Sequence, residues 1–286
     1  MFYAPFYAAH ALGFFAREGV DVALIEEANP GDGVAGVLDG TIDATWGGPM
    51  RVMKARDGDP RSPLVCFCEV VARDPFFLVG PGSGAPFKLT DLPRLRFAAV
   101  CEVPTPWMCL QHDLREQGID PARLDRMPAR PMAENIAALR RGDLDVVQVF
   151  EPYASMALQE RIGEVLYAAS TRGPTVYTTF IATRDALARN RGGFAAMTRA
   201  IGHMQDWLAE HGAEELAAAT APFYPDIPGD LLARALARYR GAGVWARTPA
   251  VSRQGFARLA DSLESGGFIA RTPLYEDCVD MSGLGR

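Results

Sequence analysis

Short apolar runs alternate with helical stripes along most of this chain. Ile42, Ala44 and Trp46 alternate with Asp43 and Thr45, the period of a strand with one buried face. Gly47 and Gly48 close a turn, and Pro49 stands where a helix begins, a position that suits its missing N–H and fixed φ. The arrangement recurs twice. Residues 97–100 read as a strand leading through Glu102-Val103-Pro104-Thr105-Pro106 into a helix over 106–117, and 144–150 lead through Glu151-Pro152 into a helix over 152–161. Each turn leaves free backbone N–H groups at a helix start, a place that favours an anion or an electron-rich group. Three such turns predict one cleft lined by helix starts.

The same patterning divides the remainder. Residues 8–19 predict a short helix with Ala9, Leu12 and Phe15 or Ala16 inward, ended by Gly19. VDVALIE (20–26) predicts a strand, and an acidic loop then leads to a helix carrying Val34, Val37 and Leu38. Residues 64–71 read as a buried strand in which Glu69 needs a partner or a wet cleft. Cys66 and Cys68 are expected on one face of that strand. A short strand over 76–79 is followed by GPGSGAPFKLTDLPR, which has the composition of a linker. From Leu95 the strand–helix alternation restarts, with a short strand at 126–129, a helix at 133–141 and a short run at 165–168. This rhythm predicts a mainly parallel sheet with helices on both faces. VYTTFIA (176–182) is the route back to the first half. Apolar stripes at 194–208, 230–240 and 254–264 then predict scaffold helices, and the tail FIARTPLYEDCVD is expected to lie across a domain surface. The implied plan is discontinuous: residues 1–80 and 176–286 form one lobe, 81–175 are inserted as the other, and two crossovers act as a hinge.

Composition narrows the function classes. Twenty-nine Lys and Arg against 35 Asp and Glu give a net charge of −6, and no basic stripe marks a nucleic-acid surface, so no nucleic-acid partner is expected. No stretch approaches 18 uncharged apolar residues, so no membrane span is expected. The first residues lack the basic leader of a signal peptide. Five scattered cysteines make no disulfide framework, and Cys66-Phe67-Cys68 is too tight for a zinc knuckle. The four histidines show no metal-ligand spacing, so neither metal nor other cofactor is expected.

Pro5-Phe6-Tyr7-Ala8-Ala9 followed by Gly13-Phe14-Phe15-Ala16-Arg17-Glu18-Gly19-Val20-Asp21-Val22 resembles the opening of the NMT1/THI5-like family, which includes the sulfonate, taurine and nitrate binders of ABC importers. Gly40 to Thr45, Asp91-Leu92, Gly118 to Pro121, Gly142 to Asp145 and Glu151-Pro152 match as well, so the resemblance covers nearly the whole chain. It implies a type II periplasmic-binding-protein fold, two α/β lobes joined by two crossovers with a ligand between them. The family opens with a strand ahead of the first turn, whereas this chain opens at the turn itself. The expectation is that a central strand of the first lobe is missing because the start has been placed too late, which would also account for the missing export signal. The CCCFC motif of the related pyrimidine synthases has no counterpart at the same place, so that chemistry is not carried over.

Carried onto this chain, the resemblance implies a site of Phe6, Tyr7 and His10 at the first turn and Trp46, Gly47, Gly48 and Arg51 at the second. The opposite lobe offers Pro104, Thr105, Pro106 and Glu151, with Tyr177 and Thr178 at the return crossover. On the residues alone, Trp46 is either a stacking platform at a strand end or a packing aromatic, and Phe6 and Tyr7 are either a second wall or core. Arg51 either forks onto a carboxylate or sulfonate or faces solvent. Glu69 and Glu151 either accept hydrogen bonds from ligand N–H groups or serve structure, Glu151 by matching a helix dipole. Two functions follow. One is a non-catalytic, monomeric binding component that hands a flat polar or anionic molecule (a pyrimidine, aromatic carboxylate or sulfonate) to an importer permease. The other is an enzyme on the same scaffold, a pyrimidine-precursor synthase, decarboxylase or dehydratase, with His10 and Glu69 or Glu151 as acid–base groups. The first reading places the protein in the periplasm; the second, on the chain without an export signal, in the cytoplasm.

Overall fold

A computed structural model describes residues 1–27, 31–82 and 84–284. Its strands are β1 (Thr45–Gly47), β2 (Leu64–Val71), β3 (Phe77–Gly80), β4 (Phe97–Ala98), β5 (Val146–Val149), β6 (Glu164–Ala168) and β7 (Thr178–Thr183). Helices α1 (Ala4–Ala11), α2 (Phe14–Arg17), α3 (Asp32–Asp39) and α4 (Met50–Gly58) belong to the first segment. The middle of the chain supplies α5 (Thr105–Glu116), α6 (Met132–Arg141) and α7 (Tyr153–Gln159). After the last strand come α8 (Arg184–Arg189), α9 (Arg191–Glu210), α10 (Ala213–Thr220), α11 (Gly229–Gly241), α12 (Arg253–Ser265) and α13 (Tyr275–Cys278).

The strands form two sheets, ordered β1-β7-β2 and β4-β5-β3-β6. The expectation of mainly parallel pairing does not hold, because among the named strands of the described residues only β4 and β5 pair in parallel. In the first sheet β7 lies between β1 and β2 and runs against both. In the second, β3 lies between β5 and β6 and runs against both. Within the first sheet β1 and β2 share a direction, and within the second β4, β5 and β6 do. The strand that enters each lobe, β7 or β3, is inserted among them in the opposite sense.

The pairing also moves the first crossover. Phe77–Gly80 is bonded within the second sheet, so the chain changes sheets between Val71 and Phe77 rather than at residue 80. The return runs between Ala168 and Thr178. The two connections lie side by side: the N–H groups of Thr175 and Val176 donate to the Ala72 carbonyl at 2.7 and 3.1 Å, and Tyr177 N–H donates to Val71 at 2.7 Å.

Apolar cores cover both faces of the first sheet. Phe67, Cys68 and Phe180 pack with Phe6, Phe14, Phe15, Phe194, Ile201 and Leu236 on one face. Cys66 and Ile181 pack with Met53, Phe256, Leu259 and Leu263 on the other. Cys66 and Cys68 therefore do not share a face. The register of β2 against β7 slips between them, and the bulge turns the following side chains over. In the α11 stripe Leu232 and Leu236 join the first core, while Tyr239 stacks on Phe77 of the second sheet at 6.0 Å. The tail docks as expected: Asp280 N–H donates to the Cys66 carbonyl at 2.9 Å, beside a parallel bridge from Val279 to Cys66.

Several expected elements differ, among them the strand expected over 42–46, which is formed only at Thr45–Gly47. The helix over 8–19 starts earlier and is broken in two by Gly13, whose φ of 71° suits glycine. Residues 126–129 contribute a single bridge, Arg126 to Phe97. VDVALIE is not a strand. Val22 and Leu24 are half-buried while Ala23 and Ile25 are exposed, the alternation of a strand, but among the described residues it pairs with nothing. β1 is the edge of its sheet on that side, so the segment has the pattern of a strand without a ladder.

Phe6 is fully buried between Trp46, 4.6 Å away and stacked, and Phe180, 5.0 Å away edge-on. Phe6→Ala is expected to lose about 3–5 kcal/mol of stability through the cavity it leaves. Urea unfolding measures it, and a change under 1 kcal/mol would mean the ring is not core.

Candidate functional site

The two sheets face each other across a cavity of about 710 Å³. The first lobe gives it Tyr7, Val34, Trp46, Gly47, Arg51 and Phe180; the second gives Glu102, Val103, Met132, Phe150 and Tyr153. Phe2 and Phe76 lie on its floor at the junction, where Phe2 meets Phe150 at 5.8 Å and Tyr177 at 5.9 Å edge-on.

Trp46 is held by its neighbours. Phe6 stacks behind it, Tyr7 meets it edge-on at 5.6 Å, and Tyr7 is itself stacked on Phe223 at 4.5 Å. Ring-on-ring contact of this kind adds directional preference to apolar burial. The wall is therefore set before any ligand arrives. Burial raises the Tyr7 hydroxyl pKa, with the Glu26 charge adding to it, and burial takes that of Tyr3 up to about 12. Both stay neutral donors at physiological pH.

Charges at the cavity wall are divided unequally. Glu27 accepts from Thr45 Oγ1 at 2.9 Å and from the N–H of Gly31, the residue just before α3, at 3.4 Å. Glu102 accepts from Met132 N–H at 2.8 Å, the first residue of α6, and from Cys101 N–H at 3.2 Å. Each carboxylate is thus committed to a helix start, where the backbone dipole favours it. Arg51, on the first turn of α4, makes no ion pair within 4.0 Å among the described residues. Its guanidinium passes beside Gly31 and Gly47; a Cβ on Gly31 would stand 2.5 Å from Nη1 and one on Gly47 3.5 Å from Nε. Gly31 also has a φ of 114°, so glycine is required there twice over. Exposed Glu26 completes the acidic residues of the wall.

Of the residues expected at the site, Tyr7, Trp46, Gly47 and Arg51 come together on the cavity. Phe6, Gly48, Tyr177 and Thr178 lie behind it: a Cβ on Gly48 would be 3.5 Å from the Tyr177 carbonyl, and Tyr177 and Thr178 are buried in the crossover and β7. Pro104, Thr105 and Pro106 start α5 as expected, but the wall is formed by the two residues before them, and the Pro106 carbonyl accepts from Gln148 Nε2 at 3.0 Å. His10 is exposed on the outside of α1, near the Phe223 ring at 6.4 Å, and does not reach the cavity.

Both glutamates serve structure. Glu151 is fully buried and accepts from Arg238 Nε at 2.7 Å, Ser155 N–H at 2.9 Å and Ser155 Oγ at 3.0 Å. Burial raises its pKa, and the Ser155 N–H and Arg238 charge work against that rise. Glu69 accepts from Ser252 N–H at 2.7 Å, which ties β2 to the start of α12. Sequence reading missed Phe2, Glu27, Glu102, Phe150 and Tyr153. The signal for the last two was at hand, since they flank the Glu151-Pro152 turn that pattern had already singled out.

Comparison with known proteins bears on the family and the fold. A family model described as NMT1/THI5 like matches residues 2–215. "Putative binding protein YtlA" of Bacillus subtilis (strain 168) is 24% identical over 282 residues, covering 98% of this chain and 84% of its own length. The periplasmic aliphatic sulphonate binding protein SsuA from Escherichia coli superposes with a TM-score of 0.74 at 16% identity, over 96% of this chain and 94% of SsuA. DSZB in complex with biphenyl-2-sulfinic acid superposes with a TM-score of 0.69 at 12% identity, over 98% and 94%. The fold is accordingly the type II periplasmic-binding-protein arrangement of two α/β lobes.

Burial pushes the Glu69 carboxyl from its ordinary value near 4.5 up to about 7, against the Ser252 N–H that favours the charge. Its folded pKa is above its unfolded one, so between these values the native state holds the extra proton and stability falls as pH rises. Relative to Glu69→Gln, the natural chain is expected to lose about 1–3 kcal/mol between pH 5 and pH 7.5. Urea unfolding of both proteins at the two pH values measures the difference, in which other titrating groups cancel. Parallel pH profiles would refute the assignment.

Proposed function

The chain belongs to the NMT1/THI5-like family, and from that premise we propose that it is the solute-binding component of an importer, taking a flat aromatic monoanion, a carboxylate or sulfonate, between its lobes. The observation that carries this reading is the pairing of Arg51 with the Trp46 and Tyr7 wall, in a cavity where Glu27 and Glu102 are already committed to helix starts. A guanidinium fork without a counter-ion among the described residues suits two oxygens of one acid group. The rings suit a flat body held against Trp46, and the Met132, Val103 and Val34 side chains suit its apolar rim. A cavity of 710 Å³ is in the ordinary range for a small organic ligand.

The charge balance also ranks the ligand classes. A neutral aminopyrimidine would leave Arg51 unpaired, and nitrate would leave the apolar walls unused. The enzyme reading assigned acid–base work to His10 and to Glu69 or Glu151, and none of the three lines the cavity. Binding without turnover is the simpler use of this site. No helix among the described residues is long and apolar enough to cross a membrane. On this reading the protein works outside the cytoplasmic membrane as a monomer and hands its ligand to a separate permease.

A thermal-shift and calorimetric panel tests the reading, using benzoate, benzenesulfonate, an alkylsulfonate, a neutral aminopyrimidine and nitrate, since selective binding raises apparent stability. The aromatic anions are expected to bind and remain unchanged on long incubation. Arg51→Met is expected to weaken them roughly 10- to 100-fold, the worth of a charged hydrogen bond, while His10→Ala leaves them alone. A preference for the aminopyrimidine, or indifference to Arg51→Met, would overturn the anion assignment; product formation would overturn the binder.

A further inference from the structure

The junction carries a second set of buried charges on the side away from the cavity. α5 begins beside the wall residues Glu102 and Val103 and runs for about 18 Å past both crossovers. Near its far end stands Asp113, facing Arg172 at the start of the return connection. Arg172 is 3% exposed, and its Nε donates to Asp113 Oδ1 at 3.0 Å and Oδ2 at 3.2 Å. Tyr167 of β6 donates to the same carboxylate at 3.2 Å. Arg172 then reaches into the other lobe: Nη2 donates to Ser262 Oγ on α12 at 2.8 Å, and Ser262 is fully buried.

This is part of a longer contact between α5 and α12. His112 Nδ1 lies 3.2 Å from Ser265 Oγ, and Met108 and Cys109 pack in one cluster with Phe256, Leu259 and Leu263. Asp113 and Arg172 border a polar hollow of their own with Glu116, Gln117, Tyr167, Thr171 and Arg258, and it shares no residue with the ligand cavity. The paired crossovers thus have the cavity on one side and the α5–α12 contact on the other.

Leverage gives this contact a direction. When two lobes turn about a pivot, surfaces on the cavity side approach as those on the opposite side part. A hydrogen bond across the far side is therefore worth most when the cavity is open. We propose that the Arg172–Ser262 contact, with His112–Ser265 beside it, holds the lobes in the open arrangement and so sets ligand affinity from outside the cavity. The inference rests on the solute-binding reading, because it concerns the regulation of that same cavity.

Ser262→Ala removes the interlobe acceptor and leaves the Arg172–Asp113 pair intact. The test attaches spin labels through non-natural residues at positions 38 and 134 of the full chain, exposed sites on α3 and α6 at the two sides of the cavity. Distances are measured without ligand. Ser262→Ala is expected to increase the short-distance population roughly five-fold over the parent, the worth of about one hydrogen bond, and to tighten benzenesulfonate binding by the same factor. His112→Ala acts on the more exposed contact, keeps the test open if Ser262→Ala folds poorly, and is expected to shift both readings the same way. Unchanged or longer distances in the folded variants would overturn the proposal. Because the distances need no ligand, a parent chain that fails to bind benzenesulfonate would count against the anion reading alone.

Discussion

The rest of the structure depends on one constraint: the chain passes between the lobes twice, and the two passages are hydrogen-bonded to each other. The carbonyls of Val71 and Ala72 receive the N–H groups of residues 175–177, so the outgoing and returning segments form a short ribbon. Each end of that ribbon is then inserted into a sheet, β3 between β5 and β6, and β7 between β1 and β2. Each crossover joins an edge strand of one sheet, β2 or β6, to a central strand of the other, β3 or β7. The same insertion brings the ends of β1 and β5, with the turns that follow them, to the space between the lobes.

The cavity takes its character from how its groups are held. Trp46 is backed by Phe6, flanked by Tyr7 and kept from swinging by rings that are themselves packed, so little rotamer freedom is left to lose when a flat ligand arrives. Electrostatic selectivity arises less directly. The acidic residues Glu26, Glu27 and Glu102 line the cavity against Arg51 alone, and a count of charges would call the site acidic. The oxygens of Glu27 and Glu102, however, are engaged by the backbone N–H groups at the starts of α3 and α6. Arg51 and the exposed Glu26 are the lining charges that no such contact engages among the described residues.

Periodicity made most of the elements legible. The glycine–proline turn places the start of α4 where it is found, the strand expected over 42–46 is realised only as Thr45–Gly47, and the stripes of α9, α11 and α12 are the core faces of those helices. The misreadings share a cause. A one-residue slip in the β2 ladder separates Cys66 from Cys68, and no local pattern announces a bulge. VDVALIE has the alternation of a strand, yet a strand exists only where a neighbour supplies hydrogen bonds. Glu69 and Glu151 looked available because their partners, Ser252 and Arg238, lie far along the chain. For a buried carboxylate the sequence states the need for a partner and leaves its identity to tertiary structure.

The placement of those partners is informative in itself. Glu151 with Arg238 joins the second sheet to α11, and Asp113 with Arg172 and Ser262 joins α5 to α12. Both sets lie at the border between lobes, while the centres of the lobes are apolar. Burying such charges costs desolvation that packed side chains of the same size would not incur, so stability alone does not favour them there. Apolar surfaces adhere in many registers, whereas a guanidinium facing a carboxylate and a hydroxyl accepts few. A border built this way limits the number of ways two lobes can meet.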